Sequence, residues 1–415
     1  MRKIIIFFII LTIIGTVSLV AINLRKDSSH TDDTSEAEIS QPIDLSGLDS
    51  YQPAGSMATV TDAGAVDAAA SQSFTISMNF VGDIMLAGND TATSSIDAMA
   101  NSQPSTYFFE NIRDYFLNDD ITIANCENVF SDNDNLVKTD KGEAAALEQY
   151  NNAVAEYNSA VALAQQTGTT VSMEKPEYTF RAFWFRSHAA TAKLLPENGV
   201  DIVSIDNNHT YDFGTDGNMD TRAALDVAGV DWGKDGKIVY KEINGFKIAF
   251  VFGSMYSAGA EQAMLVDLEE ANANSDYQVV YFHGGEEKVH AYEDWKQASC
   301  HNLVDHGADL VIGSHPHVLQ PMETYNGVNI VYSLGNFIFG GNNYPENRTL
   351  IYNQTLTITQ DAATGGFTVA NTDITLIPCY VYTGESNNYQ PAVIENETDK
   401  QLVIDFMQGK RELPY

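Results

Sequence analysis

The sequence predicts an α/β fold, and three observations carry the prediction. Short β-branched and aromatic runs recur after Phe74: ISMNFVGD, DDITIANCE, VDIVSIDNNH, KIAFVFGS, YQVVYFHGG, ADLVIGSHPH and NIVYSLGNF. Helix-like stretches separate several of them, for example Arg186 to Leu195, Asn218 to Val227 and Glu293 to Val304; strands alternating with helices argue for an α/β core. The runs also end on polar residues able to do chemistry. In order these are Asp83, then Asn125 and Glu127, then Asn207, Asn208 and His209, then His283, then His315 and His317, then Asn336. No internal repeat is visible.

The chain before this region has a different grammar. An uncharged apolar run from Ile4 to Ile22 lies between two basic pairs, Arg2/Lys3 and Arg25/Lys26, and is long enough to cross a bilayer as a helix. It exceeds the apolar region of a cleaved signal peptide and has Leu19 where a small residue is needed. Residues 1–26 are therefore expected to be an uncleaved membrane anchor, with the body of the protein outside the cell membrane. No cysteine follows the run, which closes the lipoprotein route. Residues 27–73 are rich in small and acidic residues, almost without aromatics and without period, the composition of a disordered acidic linker.

The 415 residues carry 22 Lys+Arg against 56 Asp+Glu, a formal charge of −34. The anchor holds four of the bases and no acid, so the remainder is more acidic still. Nucleic acid is excluded as a partner on that charge. Three scattered cysteines, Cys126, Cys300 and Cys379, are too few for a disulfide framework or a cysteine zinc site.

Open α/β sheets bind ligands at the carboxyl ends of their strands, where this chain keeps its polar residues. Carboxylate, amide oxygen and imidazole together suit a divalent metal such as manganese, iron or zinc. In "SHPHVLQ", alternate residues of an extended segment point to opposite sides, so His315 and His317 are expected to address two metals or two faces of one. Two metals together clamp the attacking and leaving oxygens of a displacement at phosphorus.

The segments FVGDIMLAG, NCENVFS, SIDNNHTYDFG, HGGEEKVH and GADLVIGSHPHVLQPMETYNGVNIVYSLGNFIF, in this order, resemble the bacterial capsule synthesis protein CapA family, also called poly-γ-glutamate synthesis proteins. The resemblance spans about Ser77 to Gly340. That family is similar to calcineurin-like metallophosphoesterases. The resemblance thus implies a four-layer α/β/β/α sandwich with a dinuclear metal centre, on a domain spanning 74–390 with a helical insertion at about 135–178 and a tail at 391–415.

Carried over by resemblance, Asp83 is the first carboxylate ligand and Glu127 the bridging acid. Asn208 is the amide ligand, and His283, His315 and His317 complete the metal shell. His209 is the general acid or phosphate-contacting imidazole, and Asp212 orients it. Asn125, Asn207, Glu287 and Asn336 support the site or face the substrate. The chain departs from the pattern at Met85, which stands where the phosphoesterases have a metal-binding histidine. Within the capsule family, Gly284 replaces the usual tryptophan and Asp206 the usual alanine, so a wider, more acidic pocket is expected.

Taken singly, several of these residues have plainer explanations. Asp83 could cap a helix, Asn207, Asn208 and Asp212 could serve a turn, and His283 could be a hydrogen-bonded core histidine. Their order and co-occurrence favour a shared site. His188, His290, His301 and His306 read as surface or packing residues, and Cys126 as core. In Glu143 to Gln166, Leu147, Tyr150, Val154, Tyr157 and Val161 form a heptad seam on a helix; it could pack on its own domain, act as a lid or make a dimer contact. The C-terminal part reads as a β-rich close to the sandwich, with DAATGG as a hairpin connection.

The expected function is a membrane-anchored, extracytoplasmic protein that makes, exports or attaches an anionic capsule polymer of the poly-γ-glutamate type. Its site would hold divalent metal ions, two by resemblance, act on a phosphoester, and work beside membrane-embedded synthesis partners. The alternative is a non-catalytic assembly or polymer-binding protein using the same cleft.

Overall fold

The computed structural model describes residues 71–89, 95–171, 173–180, 182–341, 343 and 346–413. The expected anchor and all but the last three residues of the expected linker lie outside the described residues. Gln72 and Ser73, placed in the linker by composition, already belong to the first strand. No helix among the described residues is long and apolar enough to cross a membrane.

In chain order, β1 (Gln72–Ile84) and β2 (Gly88–Asn89) lead through α1 (Ser95–Ser102) and α2 (Arg113–Leu117) to β3 (Ile121–Cys126) and β4 (Val129–Phe130). The long α3 (Glu143–Thr167) precedes β5 (Phe185–Ser187) and β6 (Ile202–Ser204). Next come α4 (Gly214–Ala228), β7 (Asp231–Gly233), β8 (Val239–Ile243), β9 (Phe246–Ser254), α5 (Gln262–Asn274) and β10 (Tyr277–His283). After α6 (Asp294–Asp305) follow β11 (Leu310–Ser314), β12 (Leu319–Tyr325), β13 (Val328–Leu334) and β14 (Asn336–Ile338). The long pair β15 (Arg348–Gln360) and β16 (Phe367–Tyr380), then β17 (Ala392–Val393) and α7 (Glu397–Met407), complete the fold.

One sheet has the order β17-β16-β15-β1-β3-β6-β7, with β14 also paired to β1, and a second has the order β12-β13-β11-β10-β9-β8. β1 is parallel to β3 and β14 and antiparallel to β15; β9, β10 and β11 are mutually parallel. β10, YQVVYFH, is buried at every position, as a parallel strand covered on both faces must be. The second half of β15 alternates buried and half-buried residues, the pattern of an antiparallel strand with one wetter face.

Three buried apolar clusters give the order of packing. Ile76, Met78, Phe80 and Ile123 of the first sheet share one cluster with Phe250, Val279, Tyr281 and Ile312 of the second. A second cluster joins the other face of the first sheet, through Val81, Ala124 and Cys126, to Phe116 of α2 and Leu225 of α4. A third joins Val251, Val280 and Val311 of the second sheet to Met264 and Leu268 of α5 and Leu303 of α6.

The C-terminal segment is β-rich, as expected, and adds a helix. It includes α7, capped by the Asn396 side chain accepting from the Asp399 N–H. Val403, Phe406 and Met407 of α7 are buried in the cluster between the sheets, each stabilising by roughly 1.5–3 kcal/mol. Ile394, Leu402, Val403, Phe406, Met407 and Leu413 thus tie residues 391–413 into the domain core. In the insertion, α3 is a single helix whose seam residues Tyr150, Val154, Tyr157 and Val161 are half-buried while Leu147 is exposed. Tyr150 packs edge-on against Tyr178, ring centroids 5.4 Å apart, so part of the seam is covered by the insertion itself.

The acidic residues divide by end of the sheet. Asp120, Asp201, Asp276 and Asp309 each sit just before a strand, and each carboxylate accepts a backbone N–H of the neighbouring strand: Ser77 within β1, and Thr122, Lys247 and Gln278 near the starts of β3, β9 and β10, at 2.8 to 2.9 Å. These acids bind the amino ends of the strands together and leave the carboxyl ends for chemistry.

Candidate metal centre

Strand register brings the predicted residues together. Asp83 lies opposite Asn125 of β3 and Asn336 of β14, and His283 lies opposite Ser314 of β11. A cross-sheet hydrogen bond from the Tyr281 hydroxyl to the Val81 carbonyl, 2.7 Å, ties the two strand ends. The preceding position, Gly82, must lack a side chain: a Cβ there would lie 1.8 Å from the Gly335 carbonyl oxygen.

Asp83, Glu127 and His283 form one group with ligand atoms within 4.8 Å of one another, and Glu127, His315 and His317 form another. Glu127 belongs to both. Its Oε1 lies 3.8, 3.9 and 3.8 Å from the Nε2 atoms of His209, His283 and His317, and neither of its carboxylate oxygens has a hydrogen-bond partner although the side chain is fully buried. A buried carboxylate without donors is costly; facing imidazoles and a second carboxylate, its oxygens fit a divalent cation of the kind that accepts mixed nitrogen and oxygen donors.

The surrounding residues hold this set in place. Asn125 donates to Asp83 Oδ1 at 2.9 Å and accepts from Asn207 Nδ2 at 3.0 Å. Asn207 Oδ1 in turn accepts the His209 backbone N–H at 3.0 Å. Asn208 is exposed, with Oδ1 2.9 Å from His283 Nε2. His283 Nδ1 lies 2.9 Å from the Ser314 hydroxyl. His317 Nδ1 lies 2.8 Å from Asn336 Oδ1. Glu287 is exposed and lines the adjoining cavity together with His209 and His317, and its charge acts on Glu127.

His209 and Asp212 form a separate pair. Asp212 Oδ2 lies 2.8 Å from His209 Nδ1, and its Oδ1 ion-pairs with Lys141 at 2.5 Å. A carboxylate so paired accepts, so Nδ1 carries the proton and Nε2 faces the cluster. Phe185 donates its backbone N–H to the same Asp212 Oδ2 and sets its ring 4.5 Å from the imidazole.

The electrostatics follow from burial and charge. Burial opposes ionisation of Asp83, yet hydrogen bonding to His283 and His317 outweighs it and holds the carboxyl well below the usual carboxylate range. Burial, then the Asp83 charge, pushes Glu127 well above that range. Burial lowers His209 and His283 and brings His315 down to about 2, so these imidazoles are neutral at pH 7, the form that binds metals.

The His-Pro-His expectation is corrected. The segment is not extended: His315 has φ 98° and His317 φ 59°, left-handed conformations that side chains rarely adopt and that concentrate at functional sites. This turn brings both imidazoles to the same carboxylate, Glu127, instead of sending them to opposite faces.

Neither departure in pocket shape has the expected effect. A Cβ at Gly284 would meet the Met255 carbonyl oxygen at 1.6 Å, so position 284 points into backbone and its glycine widens nothing. Both Asp206 oxygens are engaged, by the Ser254 hydroxyl at 2.6 Å and the Asp235 N–H at 2.7 Å, which makes it a loop tie and not an acidic wall. Met85 is buried with Ala87, Phe185 and Phe339. Cys126 is buried in core, and Cys126, Cys300 and Cys379 form no disulfide. His188, His290, His301 and His306 have partners elsewhere: Asp132, the Leu319 carbonyl, Glu323 and the Asn302 carbonyl.

Sequence reasoning missed Ser314, Tyr256 and Lys141. Ser314 directly precedes the first histidine of the triplet, and Tyr256, whose ring lies 5.1 Å from that of His315, follows the end of β9; the strand-end logic reaches both. No local signal marks Lys141, which meets Asp212 from within the insertion.

The model of the bacterial capsule synthesis protein PGA_cap family matches residues 144–341, a segment that starts after Asp83 and Glu127. The chain is 26% identical to the capsule biosynthesis protein CapA of Bacillus anthracis over 365 residues, covering 80% of this chain and 74% of that protein. It is 31% identical over 176 residues to the PGA biosynthesis protein CapA of Bacillus subtilis (strain 168), 37% of this chain and 46% of that protein. Over 231 residues it is 23% identical to a probable polyglutamine synthesis accessory protein of Mycobacterium tuberculosis (strain CDC 1551 / Oshkosh), 44% of this chain and 59% of that one. The chain spans less than two thirds of the latter two proteins. Over these matches the chain is similar to the bacterial capsule synthesis protein PGA_cap family, whose model covers just under half of it.

Proposed function

We propose that the protein serves the synthesis or export of a capsule polymer of the poly-γ-glutamate type, through a metal-dependent site of the metallophosphoesterase kind in a four-layer sandwich. The observation that carries the reading is Glu127: a fully buried carboxylate with both oxygens unpartnered, shared by the two groups of candidate ligands. Asp83, His283 and Asn208 would hold one cation and His315 and His317 a second, with Glu127 between them. Divalent cations held there would supply Lewis acidity to a phosphoryl oxygen.

The chain's own residues do the rest. His209, oriented through Nδ1 by Asp212, presents a neutral Nε2 that takes a proton from the attacking water as its oxygen joins phosphorus and passes that proton to the departing alcohol oxygen as the P–O ester bond breaks. The Asn125, Asn207 and Asn336 amides keep Asp83, His209 and His317 in fixed orientations. An N-terminal anchor, an extracytoplasmic site and membrane-embedded synthesis partners complete the proposal, supported by the apolar run at Ile4 to Ile22.

The test is metal analysis of the purified protein together with hydrolysis of bis(p-nitrophenyl) phosphate by wild type and Asp83→Ala. The reading expects bound manganese, iron or zinc, and activity that the substitution removes. A second reading, non-catalytic assembly through the same cleft, is favoured by Met85 in place of a ligand; bound metal with no phosphoester cleaved would select it.

A further inference from the structure

The cavity beside the cluster has about 750 Å³, within the range of pockets that enclose a small organic ligand. His209 and His317 line it, and Phe183, Phe185, Phe339 and Tyr389 supply aromatic wall beside them. Phe185 stands 4.5 Å from the His209 ring and Phe339 4.8 Å from the His317 ring. Phe183 stacks parallel to Phe185 at 6.0 Å, and Phe339 meets Phe185 edge-on at 6.2 Å. Met85 joins the same apolar group. The residue that takes the place of a metal-binding histidine therefore lengthens an apolar wall.

Phe183, which lines this cavity, is 51% exposed, a large aromatic surface left for something to cover. The described rim residues include two acids, Glu287 and Glu346, and one base, Lys288, on a chain of net charge −34. Such a mouth repels a polyanion.

We propose that this cavity receives the non-reacting part of the substrate and that this part is apolar. The site thus takes an amphiphilic phosphoester, its phosphoryl group at the Glu127 end and an alkyl or aryl group along Phe185, Phe339 and Phe183. The anionic polymer itself does not occupy the cavity. This inference rests on the phosphoester reading above and deepens it by naming the substrate class.

The experiment is calorimetric titration of the manganese-loaded full-length chain with methyl-, propyl- and hexylphosphonate, and with a γ-linked glutamate oligomer as the polyanionic competitor. Binding is expected to tighten by up to about fourfold per added methylene, the gain for moving a CH₂ from water to an apolar wall. Phe183→Ser is expected to reduce that gain, and the oligomer not to displace hexylphosphonate. Methyl- and hexylphosphonate binding alike, or the oligomer displacing hexylphosphonate, overturns the inference and leaves the phosphoester reading standing. Manganese binding with no phosphonate bound overturns both.

Discussion

Oε1 of Glu127 lies 3.8 Å from Nε2 of His317 and accepts no hydrogen bond. The carboxylate was taken out of water without compensation, and burial and Asp83 both oppose its charge. Without metal it is a liability to the fold; with a cation it becomes a ligand. Glu127→Gln is therefore expected to be at least as stable as wild type in chelator. Manganese at a hundredfold excess over its Kd should stabilise wild type by about 2.7 kcal/mol and leave the variant's melting temperature unmoved. Equal shifts in both chains, read by calorimetry, would sink the assignment.

Lys141 ion-pairs with Asp212, whose side chain is fully buried while that of Lys141 is 23% exposed. Removing one partner of a buried pair leaves a charge uncompensated, at about 3 kcal/mol. Lys141→Met should lose on that order in urea denaturation. Lys141→Met with Asp212→Asn should recover much of it, because the stranded charge is gone.

Asp119 gives the pH prediction. Its Oδ2 accepts from Thr122 at 2.8 Å, but Oδ1 has no partner, and burial foremost, with the nearby Asp201 charge, pushes its pKa up to about 7. The folded pKa exceeds the unfolded value, so the folded state binds more protons between about pH 4 and 7 and stability falls as pH rises through that window. Asp119→Asn should gain stability over wild type at pH 7.5 and not at pH 4. A pH-independent difference between the two melting curves refutes this.

Gly284 makes the steric case. A methyl group there meets the Met255 carbonyl oxygen at 1.6 Å, and backbone has no rotamer with which to yield. Gly284→Ala is expected to cost at least the 1–3 kcal/mol typical of overpacking. Chemical denaturation measures it; a neutral substitution would mean that the strand end adjusts freely.

Phe406 tests the C-terminal helix. It is 2% exposed within the cluster between the sheets, so Phe406→Ala should cost about 3–5 kcal/mol. A surface tail would tolerate the change with no shift in the denaturation midpoint.

Much of this protein was legible in the order of its residues. The buried runs of β3, β10 and β11 announce themselves through hydrophobicity, and the polar residues that end them mark the site because a parallel sheet leaves its carboxyl ends open. That rule places Asp83, Glu127, His283, His315 and His317 in one cluster without knowledge of sheet order. What the sequence could not determine depends on backbone direction and long-range approach. Only the fold shows that His315 and His317 turn to the same side, since that rests on two left-handed φ angles that residue type does not reveal. Only the fold shows that Gly284 faces backbone, that Asp206 is consumed by Ser254 and Asp235, and that Lys141 reaches Asp212 from within the insertion. The C-terminal helix has apolar spacing of its own, but its place against β12 and β16, a strand of each sheet, is a long-range contact. Local pattern sets what each segment can be; the meeting of segments far apart in the chain decides which side chains face one another.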